Sequence, residues 1–340
     1  MNLKLQLALG ALLPILACRT ALASNFDSVY AFGDSLSDGG DSASAVISIY
    51  KLNGNACDPG HPCPPYVDGR FSNGPVAIEY AASALLNGGA NAGNFFDYAV
   101  GGATTGVGNI GDNGSEVSLG ALNLPGVANE VNLYLGQHSD AADANALYFL
   151  QGGANDLLAA AASEPASLPS VAISAADELA ADALTLAKAG AQHIEISNLA
   201  DLSLTPKALA YGALIDSEVL AVTEAFNVEL AKQLVLDSAS APRVGFVEFN
   251  AFALSDQVFN NPATYGFTNV SNPCLTGLTV CSDPATYAFW DTLHSTTALN
   301  VITGEEIAAA AMPLPSAAWL FAGGLASAWL ARHAAAKRLR

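Results

Sequence analysis

Chemistry in this 340-residue sequence has few places to start, and the first is a serine at the end of a strand. The run Val29-Tyr30-Ala31-Phe32 reads as a strand that stops at Gly33, and Ser35 follows two positions later, where a helix could begin. Such a turn presents a hydroxyl at the sheet edge, near backbone N–H groups that favour negative charge. The plainer reading is a strand-to-helix turn capped by Asp34 or Ser35. A serine hydroxyl is a weak nucleophile until a neighbouring base accepts its proton, and a carboxylate must hold that base in the correct tautomer. Asp291-Thr292-Leu293-His294 places a carboxylate three residues before an imidazole, just ahead of a helix beginning near Ser295. Rival histidines are few: His193 sits at a strand start, His61 in a cysteine loop, His138 in a polar turn and His333 in the C-terminal tail.

Strands must carry these residues to one edge. Strand-like runs cover Ser28–Phe32, Phe95–Val100, Ala146–Gln151, His193–Ser197 and Arg243–Phe249. Helix-like stretches lie between them, including Pro75–Leu86, Ser174–Ala189 and Ile215–Leu236. In the last of these Ile215, Val219, Val222, Phe226, Leu230 and Leu234 recur at the spacing of one buried face. Strand–helix alternation predicts an α/β protein with a mainly parallel five-stranded sheet between two helical layers, its working residues at the carboxyl ends of the strands. Two of those ends break into glycine pairs, Gly101-Gly102 and Gly152-Gly153, the second followed by Asn155. Loops around Lys51–Asn73, Gly101–Pro125 and Asn260–Thr286 would form the rim. Gly106-Val107-Gly108-Asn109-Ile110-Gly111 fits the dinucleotide pattern, but the turn-rich residues that follow offer no helix for a pyrophosphate, so it reads as a flexible rim loop. No G-x-S-x-G elbow occurs, which argues against the α/β-hydrolase fold.

Four runs in order, Gly33-Asp34-Ser35-Leu36, Gly101-Gly102-Ala103-Thr104, Gly152-Gly153-Ala154-Asn155-Asp156 and Asp291-Thr292-Leu293-His294, resemble the signature blocks of the GDSL/SGNH hydrolases. Gly69-Arg70-Phe71-Ser72-Asn73-Gly74-Pro75 and Asn198-Leu199-Ala200-Asp201-Leu202-Ser203-Leu204-Thr205-Pro206 are similar to its bacterial branch of secreted lipases, phospholipases and haemolysins. The resemblance implies the flavodoxin-like three-layer α/β/α SGNH fold and hydrolysis of an ester substrate, possible lipids included, through an acyl-enzyme. Ser35 would be the nucleophile, His294 its base and Asp291 the residue that orients the base. The Ser35 N–H, the Gly102 N–H (in preference to Gly101) and the Asn155 amide would form the oxyanion hole. It implies no metal and no organic cofactor. Acyltransferases and polysaccharide deacetylases on the same scaffold are the alternatives. A non-catalytic matrix protein is disfavoured by the complete triad.

The ends of the chain predict export. Lys4, an apolar run from Leu7 to Ala17 and Ala21-Leu22-Ala23 form the pattern of a signal peptide over residues 1–23. The catalytic domain would then span 24–312. Residues 313–340 run from Pro313-Leu314-Pro315 through an apolar stretch, Ser316 to Ala331, to Arg332, Lys337, Arg338 and Arg340. They resemble a PEP-CTERM sorting signal, with Leu314 in place of that signal's Glu, and imply transient inner-membrane retention, a sorting protease and a destination at or beyond the surface of a Gram-negative bacterium. Between Ser24 and Ala311 six basic residues face 31 acidic ones, a net charge of −25, which excludes nucleic acid as a partner. In an exported chain, the neighbours Cys57 and Cys63, and likewise Cys274 and Cys281, point to two short-loop disulfides. The spacing of Cys57, His61 and Cys63 matches no common zinc pattern.

Overall fold

A computed structural model describes residues 26–312. The segments read above as signal peptide and sorting signal lie outside the described residues. Five strands, β1 (Val29–Phe32), β2 (Phe95–Asp97), β3 (Leu147–Leu150), β4 (His193–Ser197) and β5 (Gly245–Phe249), form one sheet in the order β2-β1-β3-β4-β5. Every pairing in it is parallel. Helices α1 (Ala77–Leu85), α2 (Val127–Gln137), α3 (Ala154–Ser163), α4 (Leu168–Ala189), α5 (Ala213–Ser240), α6 (Ala251–Asn260) and α7 (Thr297–Ala311) cover it.

The two-residue period of the strands divides the core. Tyr30, Phe32, Tyr148, Leu150, Ile194 and Ile196 face one way, onto Val127, Val131 and Tyr134 of α2, the alanine-rich face of α4, and Val222, Phe226, Leu230 and Leu234 of α5. Val29, Ala31, Leu147 and Phe149 face the other way, onto α1, α6 and Ile307 and Ala308 of α7. Buried on both faces, the sheet requires these apolar runs. The result is the three-layer α/β/α architecture, with every sheet strand parallel rather than most of them.

Three local expectations need correction. Helix α4 starts at Leu168, not Ser174, because Pro169 sits in its first turn, where a missing N–H breaks no bond. Strand β2 ends at Asp97, where the Asp97 carboxylate takes the Ala99 N–H; the Val100 N–H beyond it still reaches the Gly33 carbonyl at 2.9 Å and is shared with Glu130. Ile215, at the start of the apolar row of α5, is exposed. Among the described residues no helix is long and apolar enough to cross a membrane.

Candidate active site

The sheet order has its switch point between β1 and β3, the crevice where parallel sheets bind ligands. Ser35 follows β1, Gly102 follows β2 and Asn155 opens α3 after β3, so all three border that crevice. No helix begins at Ser35. A single turn closes there, with the Ser37 and Asp38 N–H groups both donating to the Asp34 carbonyl, and Asp38 and Gly39 then turn the chain away.

Asp291 and His294 arrive on a tight turn just before α7. The Asp291 Oδ1 accepts the backbone N–H groups of Leu293 and His294, each at 2.8 Å. Its Oδ2 lies 2.7 Å from His294 Nδ1 and accepts the Tyr66 hydroxyl, also at 2.7 Å. Burial alone would raise the Asp291 carboxyl, but the charge and hydrogen bonds of His294, with help from Tyr66, hold it well below the usual carboxylate range. An ionised carboxylate only accepts, so His294 carries its proton on Nδ1 and offers the lone pair of Nε2. That Nε2 is 2.9 Å from Ser35 Oγ. An unbroken relay therefore joins Asp291, His294 and Ser35 across 259 residues of sequence.

The loops fix the donor set. Gly101 spends its N–H on Asp38 at 2.8 Å, whereas among the described residues no acceptor takes the N–H of Gly102 or of Ser35. Gly102 has φ +86°, and a Cβ there would collide with Asn109 Oδ1. Asn155 is buried, and its amide donates one N–H to the Ala103 carbonyl at 2.8 Å, which orients the side chain and leaves the second N–H uncommitted.

Several residues that sequence reading left out hold this arrangement. Glu130 of α2 accepts the Gly33 N–H at 2.7 Å and the Val100 N–H at 3.1 Å, tying the loops after β1 and β2 together. Asp38 accepts from Gly40, Ile49 and Gly101. Asn109 donates to the carbonyls of Gly101 and Pro125 and accepts from Gly111, and Asp112 accepts from Leu122 and Leu124. The loop read as flexible is thus folded around two buried polar side chains, and the dinucleotide-like glycines lead only into a single helical turn. The Gly69–Pro75 stretch clasps the histidine segment: Ser72 Oγ donates to the Ser295 carbonyl and Asn73 Oδ1 accepts the Thr297 N–H. Arg70 makes a two-pronged pair with Glu79, both contacts at 2.8 Å, which anchors that stretch to α1. Beside the nucleophile a crevice is lined by Leu36, Phe71, Val76, His294 and Asn300. Disulfides join Cys57 to Cys63 and Cys274 to Cys281.

Comparison with known proteins identifies the family. The family described as GDSL-like Lipase/Acylhydrolase matches residues 29–307, and the chain belongs to that family of ester-bond hydrolases. It is 24% identical to a GDSL esterase/lipase of Arabidopsis thaliana over 84% of this chain and 91% of the relative. It is 29% identical to an uncharacterised Pseudomonas putida protein over 89% of this chain, spanning about half (51%) of that relative's length. Among solved structures it is similar to a carbohydrate acetylesterase from Sinorhizobium meliloti, with TM-score 0.40, 14% identity, and coverage of 83% of this chain and 96% of the other.

Proposed function

We propose that the protein is an exported serine ester hydrolase working through an acyl-enzyme on Ser35. The observation that carries this reading is the continuous Asp291–His294–Ser35 hydrogen-bond relay. Ser35 Oγ attacks the ester carbonyl carbon while His294 Nε2 takes the hydroxyl proton. The C=O electron pair moves onto oxygen, where the N–H groups of Ser35 and Gly102 and the amide of Asn155 receive the charge. Collapse breaks the C–O bond, and the alcohol leaves with the proton from His294. Water then attacks the acyl-Ser35 ester with His294 again as base, releasing the carboxylic acid and restoring the serine. Asp291 stabilises the imidazolium formed in each half. No metal or organic cofactor enters these steps.

Residues 24–312 constitute the catalytic unit in this reading, with 1–23 removed on export and 313–340 acting as a sorting segment cut near Pro313–Pro315. The Cys57–Cys63 and Cys274–Cys281 disulfides are compatible with an oxidising compartment. The Gly69–Pro75 and Asn198–Pro206 stretches favour the bacterial lipase and phospholipase branch. Ser35→Ala tests the chemistry: hydrolysis of p-nitrophenyl esters of graded chain length should fall by ~10⁴-fold or more, with circular dichroism and melting unchanged. Full turnover in the purified variant would end the proposal.

A further inference from the structure

From sequence alone, the loop from Cys57 to Cys63 reads as a short disulfide loop, its thiols and His61 matching no common zinc pattern. The structure spends both sulfurs on a disulfide, so no thiolate remains to bind an ion. The same short loop instead delivers His61 to the catalytic histidine. The His61 and His294 rings lie edge to face with centroids 5.5 Å apart, and Phe71 and Tyr66 pack against His61 at 4.6 and 5.0 Å.

We propose that His61, Asp291 and His294 form an inhibitory site for a borderline transition-metal ion, with zinc(II) as the ion that fits best. The inference rests on the triad reading only for its consequence, inhibition, and not for binding itself. One ligand atom from each of the three residues lies within 4.8 Å of the others. Two imidazoles and one carboxylate are a donor set that zinc(II) accepts with a water in the fourth place, whereas calcium and magnesium prefer oxygen alone.

The hydrogen bonding of His61 suits the role. Its Nδ1 is hydrogen-bonded to the Asp58 carboxylate, which leaves Nε2 as the ring's free lone pair. A carboxylate behind a histidine is the arrangement that orients metal-binding imidazoles and raises their basicity. The side chain of His61 is 30% exposed, so an ion can reach it from solvent. Tetrahedral zinc sets its ligands about 3.4 Å apart, given Zn–N near 2.0–2.1 Å. Asp291 Oδ2 and His294 Nδ1 are only 2.7 Å apart, so the ion takes the place of the Nδ1 proton, which passes to Nε2, and parts that pair by less than an ångström, while His61, on its small surface loop, is the partner with room to move in.

An ion held there occupies lone pairs that the relay needs. His294 and Asp291 cannot bind the metal and pass the Ser35 proton at once, so occupancy and turnover exclude each other. Removal of the ion restores the relay without any covalent change.

The test separates binding from catalysis. Zinc sulfate is titrated calorimetrically into the full-length Ser35→Ala protein, which needs no turnover to report. One site is expected, weakened at least tenfold by His61→Ala and by ~10–100-fold by Asp58→Asn, with melting curves showing that each variant is folded. In the wild type, zinc should suppress hydrolysis of p-nitrophenyl acetate and a chelator should restore it. His61→Ala, measured against its own metal-free rate, should need at least tenfold more zinc. No heat of binding by Ser35→Ala at millimolar zinc, or equal affinity in His61→Ala, overturns the proposal. Zinc binding by a wild type that shows no hydrolysis at all would instead remove the triad reading and leave the metal site standing.

Discussion

Buried acids in and around this sheet are treated in two opposite ways. At the carboxyl ends of the strands, Asp38, Asp97, Glu130 and Asp156 are almost wholly buried, yet each accepts at least one backbone N–H. Within β4, Glu195 is equally buried, but neither carboxyl oxygen has a hydrogen-bond partner among the described residues. Burial raises all five carboxyls. For Asp38 three N–H donors oppose it, and the group is pushed up only to about 6. For Asp156 burial wins over the Thr105 bonds and takes it to about 7. For Glu195 nothing opposes burial, and it stands well above its ordinary value. A buried acid that closes a loop repays part of its desolvation by fixing backbone, whereas one in mid-strand has no backbone to fix, because the ladder already holds every N–H.

If the acids at the carboxyl ends exist to position chemistry, their loss should register in turnover, and most steeply at the relay itself. Asp291→Asn keeps the turn's shape but presents an amide to His294 and favours the wrong tautomer, so kcat should fall by about 10⁴-fold. A stopped assay on purified protein measures it, and a loss below tenfold would show that another group orients the base. Asn155→Ala should come next, lowering kcat by ~10²–10³ with little change in KM, since its donor serves charge that appears only in the transition state. A change confined to KM would assign Asn155 to ground-state binding.

Glu130→Gln probes the link between the two loops. Gln can still accept the Gly33 N–H but turns its own amide N–H on that of Val100, which keeps only its bond to the Gly33 carbonyl, and the unpaired buried amide donor costs ~1–3 kcal/mol. Lower denaturant midpoint and lower kcat should appear together. Lost stability with unchanged kcat would show that the loops hold their catalytic geometry without the clasp.

The same contrast explains what a reader of the sequence can and cannot see. Strand positions are legible because burial on both faces forces continuous apolar runs such as Leu147–Leu150. Gly102 and the Asp291–His294 pair are legible because a left-handed φ and a three-residue turn leave marks within a few positions. Tyr66 on Asp291 spans 225 residues and Glu130 on Gly33 spans 97, and neither leaves any local pattern. His61 reads as part of a cysteine loop, and only folding shows which aromatic rings it meets. The buried carboxylates are hardest of all, since an acid in a chain this acidic looks like surface until its N–H partners are known.

The smallest expected effect lies at Glu195 and turns on pH. Glu195 borders a cavity of about 230 Å³, beside the starting ends of β3, β4 and β5, with Phe26, Leu147 and His193 around it. Its raised folded-state value means the native chain keeps a proton that the unfolded chain releases above about pH 4.3. Its contribution to stability is therefore fullest below that pH and is lost as pH rises towards the folded value. Glu195→Met conserves volume, removes both unpaired oxygens and carries no titrating proton. The variant should be more stable than wild type by ~1–3 kcal/mol, and the gain should be larger at pH 8 than at pH 5. Paired urea midpoints at the two pH values decide it. A gain that shrinks as pH rises, or a variant less stable at both, would mean that the Glu195 carboxylate is ionised and paired in solution, and the contrast between the two groups of acids would fail.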